Sequence, residues 1–391
     1  MKVIHIITRL DMGGAQQNAL YTVASLDRGR FEPVLVCGPG GALAGQGAVR
    51  TIILEDLVRP IHPARDLAAL LRLTRLLAQE RPAIVHTHCP KAGILGRLAA
   101  WLAGVPVIVH THHGLSWNAY QPWWARWACW FAEWVCSRLT AAQVFVAEAD
   151  LGRAEYAGLL GLWGGEYRAL IRSGIKLTHY PAALTPEERE RRRLALVGDA
   201  DAPLVVGIGN FKGQKNVRDF LRVAWLVQRR HLEARFFYIG GGEAPPAVRA
   251  LIREYGLERV VTLLPHLPAP DVAQVLAVAD VYLHTALWEG LPRALLEAMK
   301  TGLPCAAYAV DGIADVLING SNGLTAPPGE SEYLAGCVSG LLSNPQLRQV
   351  FGQRAAASIG QEFDIDVMVH RQEALYEDLL SPWWESGGNR G

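Results

Sequence analysis

A chain of 391 residues, half of them hydrophobic, exceeds one ordinary core and suits two domains of nucleotide-binding size. Its 38 basic and 37 acidic residues leave a formal net charge of +1, too little field to hold a nucleic-acid backbone, so no nucleic-acid partner is expected. The six cysteines form no C-x-x-C pair, and no stretch reaches the roughly 20 apolar residues of a membrane span. A cytoplasmic protein follows, with any membrane contact peripheral, on the inner face of the plasma membrane.

The N-terminus reads as a strand, Lys2 to Thr8, not as a secretion signal. Met12-Gly13-Gly14-Ala15 then opens a helix from Ala15 to Leu26. Adjacent glycines let a backbone approach a ligand, and the helix start behind them offers free N–H groups to a diphosphate; a plain strand-to-helix turn is the other reading. Strands at Pro33 to Cys37, Ile84 to His88, Val105 to His112 and Ala142 to Ala147 continue the alternation, with a helix from Ile94 to Leu102 among them. Such alternation predicts a parallel sheet covered on both faces.

Five histidines, His86, His88, His110, His112 and His113, end two of these strands. Period two puts His86 with His88 and His110 with His112 on common faces, a pattern compatible with a metal. No carboxylate follows at ligand spacing, and no metal or other cofactor is expected. Between Trp117 and Trp134 lie half of all the tryptophans, with Trp123, Trp127, Trp130 and Trp134 on one helical stripe. Core packing and contact with a lipid or polyprenyl acceptor both suit Trp117, Trp123, Trp127 and Trp130.

Prolines and a dense charge run between Tyr180 and Asp201 predict a solvated connector. The expected organisation is a first domain over 1–178, a connector over 179–202, a second domain over 203–365 and a final helix over 366–391 packing back on the first. After Pro203 the alternation resumes with Leu204 to Gly207, Arg235 to Ile239 and Val260 to Leu264. Gly207-Ile208-Gly209-Asn210-Phe211-Lys212-Gly213 is one residue too long for a dinucleotide fingerprint, and no ribose-binding acid ends the next strand. Lys212 and Lys215 are read instead as cations beside phosphate oxygens, or as surface lysines.

The strongest motif follows the apolar run Val281 to Ala286, where Glu289 precedes a Gly290-Leu291-Pro292 turn and Glu297 lies in the next helix. Carboxylates so placed suit a sugar and a ribose diol. This segment resembles the E-x7-E motif of the retaining GT-B glycosyltransferases, family 4-like, which include bacterial polysaccharide and lipid-linked sugar transferases. Met12-Gly13-Gly14-Ala15 resembles that family's N-terminal glycine loop, Thr111-His112-His113-Gly114 its T-x-H-G segment, and Gln214-Lys215-Asn216 its phosphate-binding segment. Asn210 stands where the family usually has arginine, and Asp315 where it has glutamate.

The resemblance implies two Rossmann-like parallel-sheet domains facing across a cleft, with acceptor on the first and donor on the second. It makes His113 and Glu289 catalytic, and assigns donor contacts to Gly13, Gly14, Asn210, Lys212, Lys215, His266, Gly290, Leu291, Pro292 and Glu297. The implied reaction is metal-independent retaining transfer from a nucleotide sugar, UDP-linked first and GDP-mannose second, to a sugar or polyprenyl-linked acceptor. A nucleotide-sugar epimerase or phosphorylase on the same fold, or a non-catalytic sugar-nucleotide-binding subunit, are the alternatives.

Overall fold

The computed structural model describes residues 1–45, 49–160, 167–180 and 184–385, with side chains to 381. The chain divides into two compact units, Met1–Gly174 with the stretch from Ile365 onward, and Ile175–Asp364.

The first unit is built on seven strands: β1 (Lys2–Ile7), β2 (Glu32–Cys37), β3 (Arg50–Ile53), β4 (Ile84–His88), β5 (Val107–His112), β6 (Ala142–Phe145) and β7 (Tyr167–Leu170). Their order is β3-β2-β1-β4-β5-β6-β7, and every pairing is parallel. Parallel strands need crossovers, here α1 (Gly14–Ser25), α2 (Pro63–Glu80), α3 (Pro90–Leu102), α4 (Trp123–Ser137) and α5 (Glu148–Tyr156). Side-chain alternation along the strands sorts the sheet into two cores. Ile4, Ile6, Val34, Val36, Val85 and Ile108 pack on one face against Leu73 and Leu77 of α2 and Ala92, Ala99 and Ala100 of α3. On the other face Val3, Ile84, Val109 and Val144 meet Met368, Val369, Tyr376 and Leu380 of the C-terminal helix (Ile365–Glu385). That helix is tied further by Arg30 Nη2 to Glu373 Oε2 at 2.8 Å and by Tyr21 donating to Asp366. Residues 386–391 of the expected final helix lie outside the described residues.

The second unit holds β8 (Leu204–Ile208), β9 (Arg235–Ile239), β10 (Val261–Leu264), β11 (Val281–His284), β12 (Cys305–Tyr308) and β13 (Gly323–Ala326). The order is β10-β9-β8-β11-β12-β13, again all parallel. Its helices are α6 (Pro186–Val197), α7 (Val217–Gln228), α8 (Pro246–Glu254), α9 (Ala269–Val278), α10 (Arg293–Lys300), α11 (Ser331–Ser343) and α12 (Pro345–Ser358). Phe220, Leu221, Ala224, Leu295 and Leu296 are fully buried on them.

In the stretch expected as a connector over 179–202, whose Pro181 lies outside the described residues, the charge run forms α6, on which Arg193 alone is buried. Residues from Ile175 belong to the second unit, and α6 is anchored to it by its own charges. Arg193 is 3 % exposed, and its Nη2 donates to Asp280 Oδ2 at 2.5 Å. Arg189 donates to Asp280 Oδ1 at 2.9 Å, and Asp280 Oδ2 also accepts from the Leu204 amide at 2.8 Å. A charge run read as a water-facing stripe thus hid a buried Arg-carboxylate fork.

Candidate active site

In each sheet the strand order reverses between two central strands, β1 and β4 in one, β8 and β11 in the other. In open parallel sheets ligands bind outside the carboxyl ends of strands at such a point, because the loops there diverge. Most of the candidate residues cluster at these two places.

In the second unit, β8 is followed by Gly209, where a side chain's Cβ would fall 2.8 Å from Tyr238 Oη and 3.1 Å from Lys215 Cγ. The glycine leaves room for the Lys215 stem, which leads out of the short 3-10 turn Gly213–Lys215. Asn216 then enters α7 in the left-handed conformation at φ 50°. This turn is stitched to the segment after β11. The Leu287 amide donates to Gln214 O at 2.9 Å, Gln214 Nε2 to Trp288 O at 2.8 Å, and Thr285 Oγ1 to Lys215 O at 3.1 Å.

The stitching brings Lys215 against Glu289, and the two form an ion pair at Oε1. His284 Nε2 lies 3.3 Å from the same oxygen, and Asp311 Oδ2 accepts from the Glu289 amide at 2.9 Å. Glu289 is 7 % exposed. Burial pushes its carboxyl upward, but Lys215 and the His284 hydrogen bond outweigh that and hold it at about 2. His284 is lowered, mainly by burial. Glu289 is therefore a charged, buried acceptor at neutral pH. Asp311, itself at φ 39°, fixes the backbone that presents it.

Gly290, Leu291 and Pro292 are buried and lead into α10, whose N-terminus has no side-chain cap. The positive end of its dipole favours an anion there. One turn into the helix, Glu297 is 9 % exposed, 3.8 Å from Arg293 and hydrogen-bonded by the buried Tyr180 hydroxyl. The Glu297 charge also reaches His266, exposed just after β10. Asn210 and Lys212 sit half-buried in the loop after β8, where Asn210 Oδ1 accepts from the Lys212 amide at 3.3 Å. His284, Thr285, Arg293 and Tyr180 were not among the sequence candidates; His284, Thr285 and Arg293 stand beside the Glu289 motif, whereas nothing local points to Tyr180.

In the first unit, α1 opens on Gly13 and Gly14 with no side-chain cap, and a Cβ at Gly13 would fall 2.7 Å from Gln16 Oε1. The histidines divide. His5 and His86 are register partners on β1 and β4 and lie, with His88, on the face of the C-terminal helix. His110 and His112 point the opposite way, under α3 and α4. Gly93 of α3 is required there, since a Cβ would meet His110 Cε1 at 2.5 Å. His113, beyond the end of β5, is half-buried, with Nε2 3.2 Å from His88 Nδ1.

Chain spacing showed no carboxylate near these imidazoles, and that reading is corrected: α4 brings Glu133 within 4.8 Å of His110 and His112, and His5, His86 and His88 form a second group of that size. Glu133 is already paired with the buried Arg97, whose positive charge opposes a cation. His5, His86 and His88 have both ring nitrogens engaged in hydrogen bonds. Neither group offers a ready metal site.

The tryptophan stripe splits along α4. Trp123, Trp124 and Trp127 are 81, 62 and 59 % exposed. Trp130 and Trp134 lean on the core of Leu115, Phe145 and Leu159, and Trp130 Nε1 donates to Ala157 O at 3.0 Å. Trp117, 5 % exposed, belongs to that core. Trp117, Trp123, Arg126, Trp127 and Trp130 line a hollow of about 490 Å³. No helix among the described residues is long and apolar enough to cross a membrane.

Residues 13–162 match the family described as "Glycosyl transferase 4-like domain", and residues 188–358 that described as "Glycosyl transferases group 1". The chain is 25% identical over 388 residues, 97% of each sequence, to the UDP-Gal:alpha-D-GlcNAc-diphosphoundecaprenol alpha-1,3-galactosyltransferase of Escherichia coli. Its fold is similar to that of Anabaena HepE solved with UDP and glucose, with a TM-score of 0.77 at 20% identity over 97% of this chain and 100% of that one. Sucrose-phosphate synthase from Thermosynechococcus elongatus is similar too, with a TM-score of 0.78 at 18% identity over 98% and 100%.

Proposed function

Because this chain belongs to the GT-B glycosyltransferases of the family 4-like kind, we propose that it transfers a sugar from a UDP-sugar to a polyprenyl-diphosphate-linked acceptor, with retention and without a metal. The observation that carries the reading is the Lys215–Glu289 pair at the switch point, eight residues before Glu297. A departing nucleoside diphosphate needs cations and N–H donors; Lys215, Lys212 and the α10 N-terminus supply them where a metal would otherwise serve. Glu289, held ionised, faces the positive charge that develops on the sugar ring. Glu297 accepts from the ribose hydroxyls, and His113 hydrogen-bonds a hydroxyl of the donor sugar. UDP as the nucleotide, and a lipid-linked acceptor, are supported by the galactosyltransferase relative and by the UDP complex of the HepE neighbour. The exposed Trp123, Trp124 and Trp127 are the face that meets the acceptor's membrane.

The test mixes the chain with UDP-galactose, UDP-glucose, UDP-N-acetylglucosamine and GDP-mannose, each with and without a polyprenyl-diphosphate sugar, in excess chelator. UDP release that depends on acceptor, and an axial anomeric linkage by NMR, are expected. Loss of turnover in chelator, restored by manganese, overturns metal independence. Asn210, in place of the family's arginine, supports a second reading, a binding subunit without turnover; donor binding with no acceptor-dependent UDP release would establish it.

A further inference from the structure

Behind His113 lies a continuous row of polar groups inside the first unit, none of which the proposed chemistry uses. His113 Nε2 is 3.2 Å from His88 Nδ1, His88 Nε2 is 3.0 Å from His5 Nδ1, and His5 Nε2 is 3.3 Å from Tyr376 Oη. Tyr376 Oη is 2.5 Å from His86 Nδ1, and His86 Nε2 is 2.6 Å from Thr111 Oγ1. His5, His86, His88 and Tyr376 are at most 2 % exposed, so within the row they have no water to turn to. The C-terminal helix supplies the tyrosine that joins the β1 and β4 imidazoles.

A neutral imidazole has one N–H and one lone pair, and a hydroxyl has one proton to give. A row of such groups gives every buried proton within it an acceptor only if all the protons point the same way along it, since a Tyr376 hydroxyl accepting from both imidazoles would leave its own proton without one. The row therefore has two states. In one, protons point toward His113, which then carries its own proton on Nδ1. In the other they point toward Thr111, and His113 Nδ1 carries a lone pair. The two contacts of Tyr376 choose between them: a phenol is a better donor than a neutral imidazole or an aliphatic hydroxyl, so Tyr376 gives its proton to the nearer partner, His86 at 2.5 Å, and accepts from His5 at 3.3 Å, which leaves His86 Nε2–H to donate to Thr111 Oγ1 at 2.6 Å. His5 Nε2–H then leaves its Nδ1 to accept from His88 Nε2–H, and His88 Nδ1 accepts from His113 Nε2–H.

We propose that Thr111, His86, Tyr376, His5 and His88 form a hydrogen-bond wire of positioning residues that fixes His113 as the Nε2–H tautomer, so that its Nδ1 accepts a hydrogen bond from a donor-sugar hydroxyl. Burial supports it by keeping the members neutral: His5 is held down at about 3, and His86 and His88 lie well below their ordinary value. A charged imidazole in the row would have two donors and break the one-way order. The sugar contact rests on the function proposed above; the wire does not.

The test labels the histidines of the full chain with ¹⁵N and reads ring tautomers by long-range ¹H–¹⁵N correlation, with His113 identified by its loss in His113→Asn. In the unaltered chain the His113 proton is expected on Nε2; a proton on Nδ1 overturns the assigned direction. Tyr376→Phe removes the joint, and the His113 signals are expected to move toward mixed tautomers while those of His112, on the opposite face, stay. Turnover is expected to fall about five- to tenfold, the worth of one ordinary hydrogen bond, with UDP affinity unchanged. Thr111→Val, whose side chain touches His86 at the far end, carries the same test if Tyr376→Phe does not fold. His113 signals unmoved in a folded variant overturn the wire. Signals that move while turnover holds confirm the wire and refute the sugar contact.

Discussion

At Glu289 and Glu297, two carboxylates of similar burial and eight residues apart have different neighbours, and so different expected failures. Glu289 is paired with Lys215 and kept at about 2, below its ordinary 4.5. Glu289→Gln keeps the shape but removes the charge, and turnover is expected to drop at least about a hundredfold. Affinity for free UDP holds or rises, because Lys215 loses a competing carboxylate. Glu297→Ala weakens UDP and donor together by about 1.5 to 3 kcal/mol, the range of a hydrogen bond to a charged group. Calorimetry with UDP and turnover with the full donor separate the variants. Equal loss of UDP affinity in both refutes the division of roles. The motif was legible because glycine, proline and two acids stand at fixed spacing. The contacts of His284 and Asp311 with Glu289 were not, since only the fold of three chain segments onto one point makes them neighbours.

On the scale of single elements, α4 is apolar over nearly its whole length, and helical periodicity alone left core and lipid as equal claimants. Tertiary packing divides it, covering Trp130 and Trp134 and leaving Trp123, Trp124 and Trp127 outside. Replacing those three together by serine is expected to leave the melting temperature near its starting value, since little of them is buried. Sedimentation with anionic vesicles should weaken by at least about tenfold, because burying one large apolar side chain is worth about 1.5 to 3 kcal/mol. Unchanged vesicle binding removes the membrane role of this face. In α6 the charge density suggested water, and all but one of its residues are at least partly exposed; the exception is Arg193, buried on Asp280, a partner 87 residues on that no local pattern announces.

Taken whole, the molecule keeps an unusual number of neutral imidazoles inside. Burial holds His5 at about 3 and His113 at about 4, and lowers His86, His88, His110, His112 and His284. Each folded value lies below the unfolded 6.5, so below that pH the unfolded chain binds protons that the native one refuses. Stability is then full above about 6.5 and falls as pH drops below it, by at most about 1.4 kcal/mol per pH unit for an imidazole until its own folded value is reached, which for His5 and His113 is about 3 and about 4. Glu80 and Glu289, both held at about 2, add their own losses only below about 4.5. Urea midpoints from pH 8 to pH 4.5 should therefore begin to decline near 6.5, before any carboxylate titrates. A flat profile down to pH 5 refutes the neutral histidine core.

Sequence alone determined the alternation of strands and helices, and with it two parallel sheets, because the periods of apolar residues are local and read off directly. It determined the acid, glycine and lysine segments for the same reason. The tertiary structure decided which of these meet. Parallel strands joined by long crossovers place residues hundreds of positions apart at one sheet face, so Tyr376 completes a row with His5 and His86. Period two showed which histidines share a strand face, but not that the two faces carry different helices, with Glu133 and Arg97 on one and Tyr376 on the other. That is a matter of long-range packing, where burial and unsatisfied hydrogen bonds, not local propensity, select the partner.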